Sequence, residues 1–274
     1  MKKVVVASKR GLKGGSLSAA SQEALGVGRD AVVLDVTSRG KEEMRVFSPF
    51  TQNGDHLFTV PFLPSSVPKE RRESRTVEGI WQGLKIFQKC AEGAELTDGK
   101  YGVDFGKFKA ANKNLKRTTR TLGGVRGHYG GPGVFLSIQE ARKKIYLSAY
   151  KQQLQLPPVA RQVESLRAVA REKDLVFLDF DTNDDLNKDK PLSHAQCLRS
   201  FVLHGDFREI KGSPEARGET RTTGQAEGVK EALQCSSSAS SSSSQNPSSK
   251  KKRQSDAAVE GTEDVSPLSK KKKT

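Results

Sequence analysis

The sequence predicts a single helix-rich α+β domain with a few short strands, followed by a disordered basic tail. Three observations carry this. Amphipathic helical segments outnumber strand-like runs; the strands do not alternate with helices as a doubly wound sheet requires; and residues 213–274 contain no aromatic side chain but much Ser, Gly, Lys and Glu. Such a segment cannot bury enough apolar surface to offset its ordering entropy. The expected domain is 1–212 and the expected tail 213–274.

The elements follow in order. The opening "MKKVVVASKRGLKGG" holds an apolar run of only four residues, too short for a secretory signal core, and no stretch approaches 18 apolar residues. The expectation is an intracellular protein with no membrane partner. "AVVLDV" (31–36), a β-branched run between turn residues, reads as a buried strand. "MRVFSPF" reads as a second strand, and "HLFTVPFLP" as extended because its prolines forbid helix. Residues 76–90 read as the first strong helix, and "FGKFKAANKNLKRTTRTLGG" as a basic segment containing another. "GGVRGHYGGPGVF" reads as a glycine-rich loop. Residues 137–151 form a helix opened by a Ser137/Glu140 capping box. "PPVARQVESLRAVAREK" is a further helix, "DLVFLDF" the clearest strand, "DTNDDLNKDKP" an acidic turn, and "LSHAQCLRSFVLHG" a closing helix ended by Gly205.

The net charge is +15, and the tail's 11 Lys and Arg nearly balance its 8 Asp and Glu, which leaves +12 on residues 1–212. A domain this basic favours anionic partners: nucleotides, pyrophosphates or nucleic acid. Cys90, Cys197 and Cys235 are widely spaced and odd in number, so neither a disulfide framework nor a zinc site is expected, and no metal or cofactor is invoked. In the tail, Lys250–Arg253 and Lys270–Lys273 have the form of nuclear-localisation or nucleic-acid patches, and equally of a solvated, self-repelling tail.

The most informative stretch is "RTVEGIWQGLKIF" (75–87). On a helix, Val77, Ile80, Leu84 and Phe87 share the core-facing stripe, while Glu78, Trp81, Gln82 and Lys85 make a second, and Gly79 and Gly83 mark a close approach by another element. The second stripe reads in two ways. Thr76 as cap, Glu78 at the helix dipole, a Glu78–Gln82 pair and Lys85 over Trp81 describe an ordinary helix surface. The same four residues also suit a nucleotide site.

This stretch resembles the signature of the NADAR (NAD- and ADP-ribose-associated) family, a Phe-Ser-x-Phe turn followed by a Thr-x-Glu-x-x-aromatic-Gln-small-x-Lys-Phe helix. "FSPF" at Phe47, Ser48 and Phe50 stands for the turn. "NLKRTTR", "EARKKIYLSAY" and "LVFLDFDTNDD" resemble later family segments, so that the likeness spans about residues 30–205, with "VVLDVTSRG" and "PLSHA" marking a divergent branch. Two departures stand out: Gly79 replaces the family histidine beside the acid, and the Tyr-Trp-Gly element after the late Asn-Asp turn is missing.

The resemblance implies an N-glycosidase acting on ADP-ribose-type, ADP-ribosylated or riboflavin-pathway nucleotides. Cleaving a ribose–nitrogen bond passes through an oxocarbenium-like state that a carboxylate stabilises while water attacks. Glu78 would fill that role, with Asp184 in the late turn as a second acid. Trp81 would stack on base or sugar, Gln82 hold a hydroxyl, and Lys85, two turns from Glu78, meet a phosphate. Lys116, Arg117 and Arg120 would grip a diphosphate, Asn183 would join from the acidic turn, and His194 would serve as an acid or base. The alternatives are a non-catalytic ADP-ribose reader and a basic nuclear nucleic-acid binder, the latter predicting affinity that falls steeply with salt and with loss of the tail.

Overall fold

The computed structural model describes residues 2–10, 12, 17–89, 102–110, 115–117 and 119–217. The tail, its two lysine clusters, Cys90 and Cys235 lie outside these residues. In chain order the elements are β1 (Val4–Ser8), α1 (Ala19–Ala24), β2 (Val32–Asp35), α2 (Glu42–Arg45), β3 (Phe58–Thr59), β4 (Glu73–Ser74), α3 (Val77–Gly83), β5 (Lys85–Phe87) and α4 (Phe105–Lys109). Then come α5 (Thr119–Leu122), β6 (Val125–Tyr129), β7 (Phe135–Leu136), α6 (Ile138–Ala141), a π-helical stretch (Arg142–Leu147), α7 (Ser148–Gln155), α8 (Pro157–Glu172), β8 (Leu175–Asp179) and α9 (His194–His204). The fold is α+β. Ordered structure continues slightly past residue 212: Ser213 is buried and donates its hydroxyl to the Phe207 carbonyl.

β8 is the centre of a parallel three-stranded sheet in the order β1-β8-β2. All five of its residues are buried, as a strand covered on both faces requires. Leu175 and Phe177 join the main core, whereas Val176 and Leu178 join a smaller cluster with Ala7 and Val27, the two-residue alternation of a pleated strand. Because Ser8 pairs with Asp179 and Asp35 with Leu178, the carboxyl ends of all three strands share one edge.

Several expectations need correction. β1, in the basic opening segment, is a strand the sequence reading passed over. "MRVFSPF" is not a strand: α2 lies there, with Glu42 and Glu43 in its first turn and Met44 in the core. The Gly-rich loop is a hairpin, with β6 pairing both β5 and β7. A Cβ on Gly127 would lie 2.4 Å from the Leu136 carbonyl oxygen, so the glycine there permits strand pairing rather than loop freedom.

The helix expected over 76–90 stops at Gly83. Thr76 caps its start, accepting from the Gly79 amide. Leu84 caps its end, after which Lys85, Ile86 and Phe87 pair antiparallel with His128, Gly127 and Val125. The apolar pattern continues because both halves face one core; Val77, Ile80, Leu84, Ile86 and Phe87 are all essentially fully buried, each worth about 1.5–3 kcal/mol. The two glycines do mark a close approach. A Cβ on Gly83 would lie 2.2 Å from the Phe108 ring, and one on Gly79 would lie 2.5 Å from Ser74 Oγ.

The helix expected over 137–151 does form and carries its capping box. It runs on to Gln155 and loosens into π geometry at Arg142–Leu147, an irregularity frequent at functional sites. Among the described residues no helix is long and apolar enough to cross a membrane.

Candidate functional site

A cleft of about 470 Å³ opens at the carboxyl edge of the parallel sheet, where ligands bind in open α/β sheets and within the size range of small-molecule sites. Three of its walls come from elements whose positions can be traced to specific bonds. The Glu78 amide donates to the Pro49 carbonyl, which sets the Ser48–Pro49–Phe50 turn against the start of α3. From α7, Tyr150 donates to the Phe47 carbonyl and Gln153 to those of Val46 and Ser48, so the turn is held from both sides. Arg142, at the π-helical stretch, donates to the carbonyls of Leu186, Lys188 and Lys190 at 2.7–2.8 Å. That clamp fixes the loop leading to Pro191, Leu192 and His194.

Glu78, Trp81, Gln82 and Lys85 all line this cleft, together with Ser48, Phe50 and His194. Buried Gln82 is the hub. Its amide nitrogen donates to Glu78 Oε1 at 2.5 Å, while its oxygen accepts from Lys85 Nζ at 3.0 Å and from the Arg117 amide at 3.4 Å. Two donors on the oxygen orient the amide and leave Glu78 Oε1 as an acceptor. Among the described residues Glu78 Oε2 meets no hydrogen-bond partner, and it is not sealed from solvent. Burial pushes the Glu78 carboxyl above the usual range, against the opposing pull of the Gln82 hydrogen bond, Lys85 and His194. Burial likewise lowers Lys85, with Glu78 opposing.

The family-like position of Lys85 is reached differently from the helical expectation. Lys85 begins β5 and folds back over the last turn of α3, its ammonium 5.9 Å from the Trp81 ring centroid. Trp81 is not a free platform: His128 packs against it tilted by 37° with centroids 4.0 Å apart, and Tyr146 meets it in a T-shaped contact at 5.8 Å. His128 is fully buried, and neither ring nitrogen meets a partner at hydrogen-bonding geometry. Burial and the Lys85 charge push it down to about 3, against a smaller contribution from the Trp81 backbone, so it is neutral packing.

His194 has a stronger position than its place at a helix start suggested. Its Nδ1 lies 3.1 Å from Asp179 Oδ2 and its Nε2 lies 3.0 Å from the Val36 carbonyl oxygen. Both partners are acceptors, an arrangement that favours the imidazolium, the form in which both ring nitrogens carry a proton. Burial by itself would lower its pKa, but Asp179 and the Val36 carbonyl together raise it. Asp179 is held below the carboxylate range despite burial by His194, Ser193 and the Ala195 amide. The pair bridges the ends of β8 and β2.

Other expected residues lie elsewhere. Phe47 is wholly buried in the core, because its turn points the ring inward. Arg117 is buried against the carbonyls of Gly83, Lys85 and Gly102, and so braces the α3–β5 junction rather than lining the cleft. Lys116 and Arg120 are exposed and outside the lining, although the Lys116 charge acts on Lys85. Asn183 spends its side chain on the Asp185 and Lys190 carbonyls in an Asx turn, and Asp184 faces Lys211 at 3.6 Å. The chain turns away from the cleft after Asp181, which is why the Asn-Asp turn does not reach it. The acids of this segment that do are Asp179 and Asp181.

The sequence reading missed Thr37, Arg39, Arg142, Tyr146, Asp179 and Phe180. "VVLDVTSRG" and "DLVFLDFD" were each visible as strands ending in polar residues, but their shared edge depends on parallel pairing that periodicity does not encode. Tyr146 is buried, yet its hydroxyl meets no hydrogen-bond partner among the described residues, whereas buried phenols usually find one. Among the described residues, no group of three or more His, Cys, Asp or Glu could hold a metal ion.

Comparison with curated proteins and with solved structures gave no match. Residues 19–198, more than half of the chain and all of the segments that line the cleft, match a family described as a family of unknown function, DUF6939. The chain belongs to that family.

Proposed function

We propose that this protein is an N-glycosidase that hydrolyses a ribose N-glycosidic bond in an ADP-ribose-type, ADP-ribosylated or related nucleotide, consistent with its resemblance to the NADAR family. The observation that carries the reading is Glu78: one carboxylate oxygen is fixed by Gln82, and the other is unpartnered and open to a cleft of nucleotide size. The carboxylate stabilises the cation developing at C1′ and takes a proton from the attacking water. The C1′–N bond breaks with its electron pair leaving on nitrogen, which takes a proton from solvent, while the water oxygen bonds to C1′ and its proton, taken by Glu78, returns to solvent.

Lys85 provides a positive charge for phosphate oxygens beside this acid, and Tyr146 has a free phenol for a ribose hydroxyl. The family histidine that follows the acid has no room here, since Gly79 is packed against Ser74 and the Lys107 carbonyl. The cleft's imidazole is His194 instead, which enters from α9. Glu78→Gln tests the reading: ADP-ribose binding should persist while hydrolysis of a panel of ribosyl nucleotides falls about 10²- to 10⁴-fold. Wild-type protein without turnover on that panel would remove the enzymatic reading.

A further inference from the structure

Phe180 is the first residue beyond β8 and lines the cleft, yet the residue is 38% exposed. An exposed aromatic directly after five buried strand residues needs a reason, because nothing in the strand forces it outward. Its backbone is fixed, with the Phe180 amide donating to Asp179 Oδ1 at 2.7 Å. Two cations stand over the ring: the Arg39 guanidinium at 5.7 Å and Lys9 Nζ at 5.6 Å. Their circumstances differ. Lys9 is paired with Asp35. Arg39 is exposed, lines the cleft from the turn after β2, and meets no carboxylate among the described residues.

Phe50 is a second exposed aromatic lining the same cleft, from the turn that precedes α3. Trp81, the residue the sequence offered for stacking, has one face covered by His128 and an edge against Tyr146. The flat, accessible surface therefore lies at Phe180 and not at Trp81. A guanidinium beside an exposed ring is the combination that receives a planar, electron-rich heterocycle, by stacking on the ring and on the guanidinium plane.

We propose that Phe180 and Arg39 form the nucleobase subsite of the cleft, which takes the purine of an adenosine-type nucleotide and orients its phosphates toward Lys85. This rests on the nucleotide reading above but concerns binding alone. Stacking of about 1–3 kcal/mol per base corresponds to roughly 5- to 150-fold in affinity at 1.4 kcal/mol per decade.

Trp81 is the only tryptophan in the chain and lines the cleft, so its fluorescence reports occupancy in every protein except Phe180→Trp; calorimetry is the readout for that variant and the independent check for the others. The experiment titrates full-length wild type, Phe180→Ala, Phe180→Trp and Arg39→Ala with AMP and with ribose 5-phosphate, which differ only by the base. Wild type should prefer AMP by at least about 5-fold. Phe180→Ala should lose that preference while keeping its affinity for ribose 5-phosphate, Phe180→Trp should retain it, and Arg39→Ala should reduce it. An unchanged preference in Phe180→Ala, or no binding of AMP to wild type, overturns the subsite. Preferential AMP binding without any hydrolysis supports the subsite and counts only against the glycosidase reading.

Discussion

Replacing Asp179 with Asn isolates the buried ion pair at the base of the cleft. Asp179 Oδ2 accepts from Ser193 Oγ at 2.7 Å, from the Ala195 amide at 3.3 Å and from His194 Nδ1 at 3.1 Å, while Oδ1 accepts from the Phe180 amide at 2.7 Å. Whichever way the asparagine amide is turned, its NH₂ confronts at least one of these donors. The side chains of Asp179 and His194 are only 6% and 12% exposed, so solvent screens little, and removing one member of such a pair costs about 3–5 kcal/mol. For a domain of this size, about 2–4 °C per kcal/mol places the melting temperature roughly 6–20 °C lower. The pH dependence is the sharper signature. Because Asp179 is lowered in the fold, its contribution is present above the ordinary value of 3.8 and lost as pH falls through the folded value. Because His194 is raised, its contribution is complete below 6.5 and lost as pH rises through the folded value. The gap between wild type and variant is thus widest between those limits and narrows on the alkaline side. Thermal melts followed by circular dichroism at pH 5.5, 7 and 8.5 measure it. A shift of under about 3 °C, or one that does not change with pH, would refute a charged Asp179–His194 pair.

Glu78→Gln should act on stability in the opposite direction from activity: with the folded carboxyl raised, wild type loses stability as pH rises from 4.5 through the folded value. The variant should then melt above wild type at pH 8 and level with it at pH 4; equal melting at both would mean Glu78 is solvated. Gly83→Ala brings a Cβ within 2.2 Å of Phe108 Cε1 and 3.0 Å of the Asp104 carbonyl oxygen. Overpacking of about 1–3 kcal/mol outweighs the roughly 1 kcal/mol of helix propensity gained, so urea unfolding should show a net loss that Phe108→Leu partly restores. Strict additivity of the two substitutions would contradict that contact. Arg142→Met removes a charge-assisted anchor from three carbonyls and should destabilise by about 2 kcal/mol or more, with hydrogen exchange accelerating at residues 186–190; unchanged exchange there would show that the loop holds itself.

The features legible in sequence were those set by local chemistry. The Ser137/Glu140 box, the Pro157 entry to α8, the Gly205 stop with its φ of 79° and the buried run of β8 all depend on residues within a few positions of each other. The failures were tertiary. Residues 84–87 have helical spacing, but partnership with β6 converts them to strand, and no pattern within 76–90 reveals the partner. The same limit applies to the site. Glu78, Gln82 and Lys85 were found because one short segment carries them, whereas Asp179 and Arg39 meet the cleft only through the parallel register of β8 with β2. Asp184, from a motif resemblance, sits just beyond the point where the chain turns away.

The charge of the cleft, rather than that of the domain, determines what the site can do. His194 is matched by Asp179, and Asp181 by Arg10 at 2.8 Å. Arg142 is committed to carbonyls. Among the described lining residues this leaves Lys85 and Arg39 as cations and Glu78 as an acid without an ion pair at 4.0 Å or less. A phosphate drawn to Lys85 would neutralise one of the cations that hold Glu78 down and would place a like charge near it; both effects raise the Glu78 carboxyl further. Binding of an anionic nucleotide would thus be coupled to proton uptake at Glu78, most strongly where pH lies between its free and bound values. Calorimetric titration with ADP-ribose, whose diphosphate diester does not titrate between pH 5 and 7, in two buffers of different ionisation enthalpy should give heats that differ in wild type and coincide in Glu78→Gln. Equal heats in wild type across pH 5 to 7 would mean that phosphate does not bind beside Lys85, and the orientation of the nucleotide along the cleft would have to be reversed.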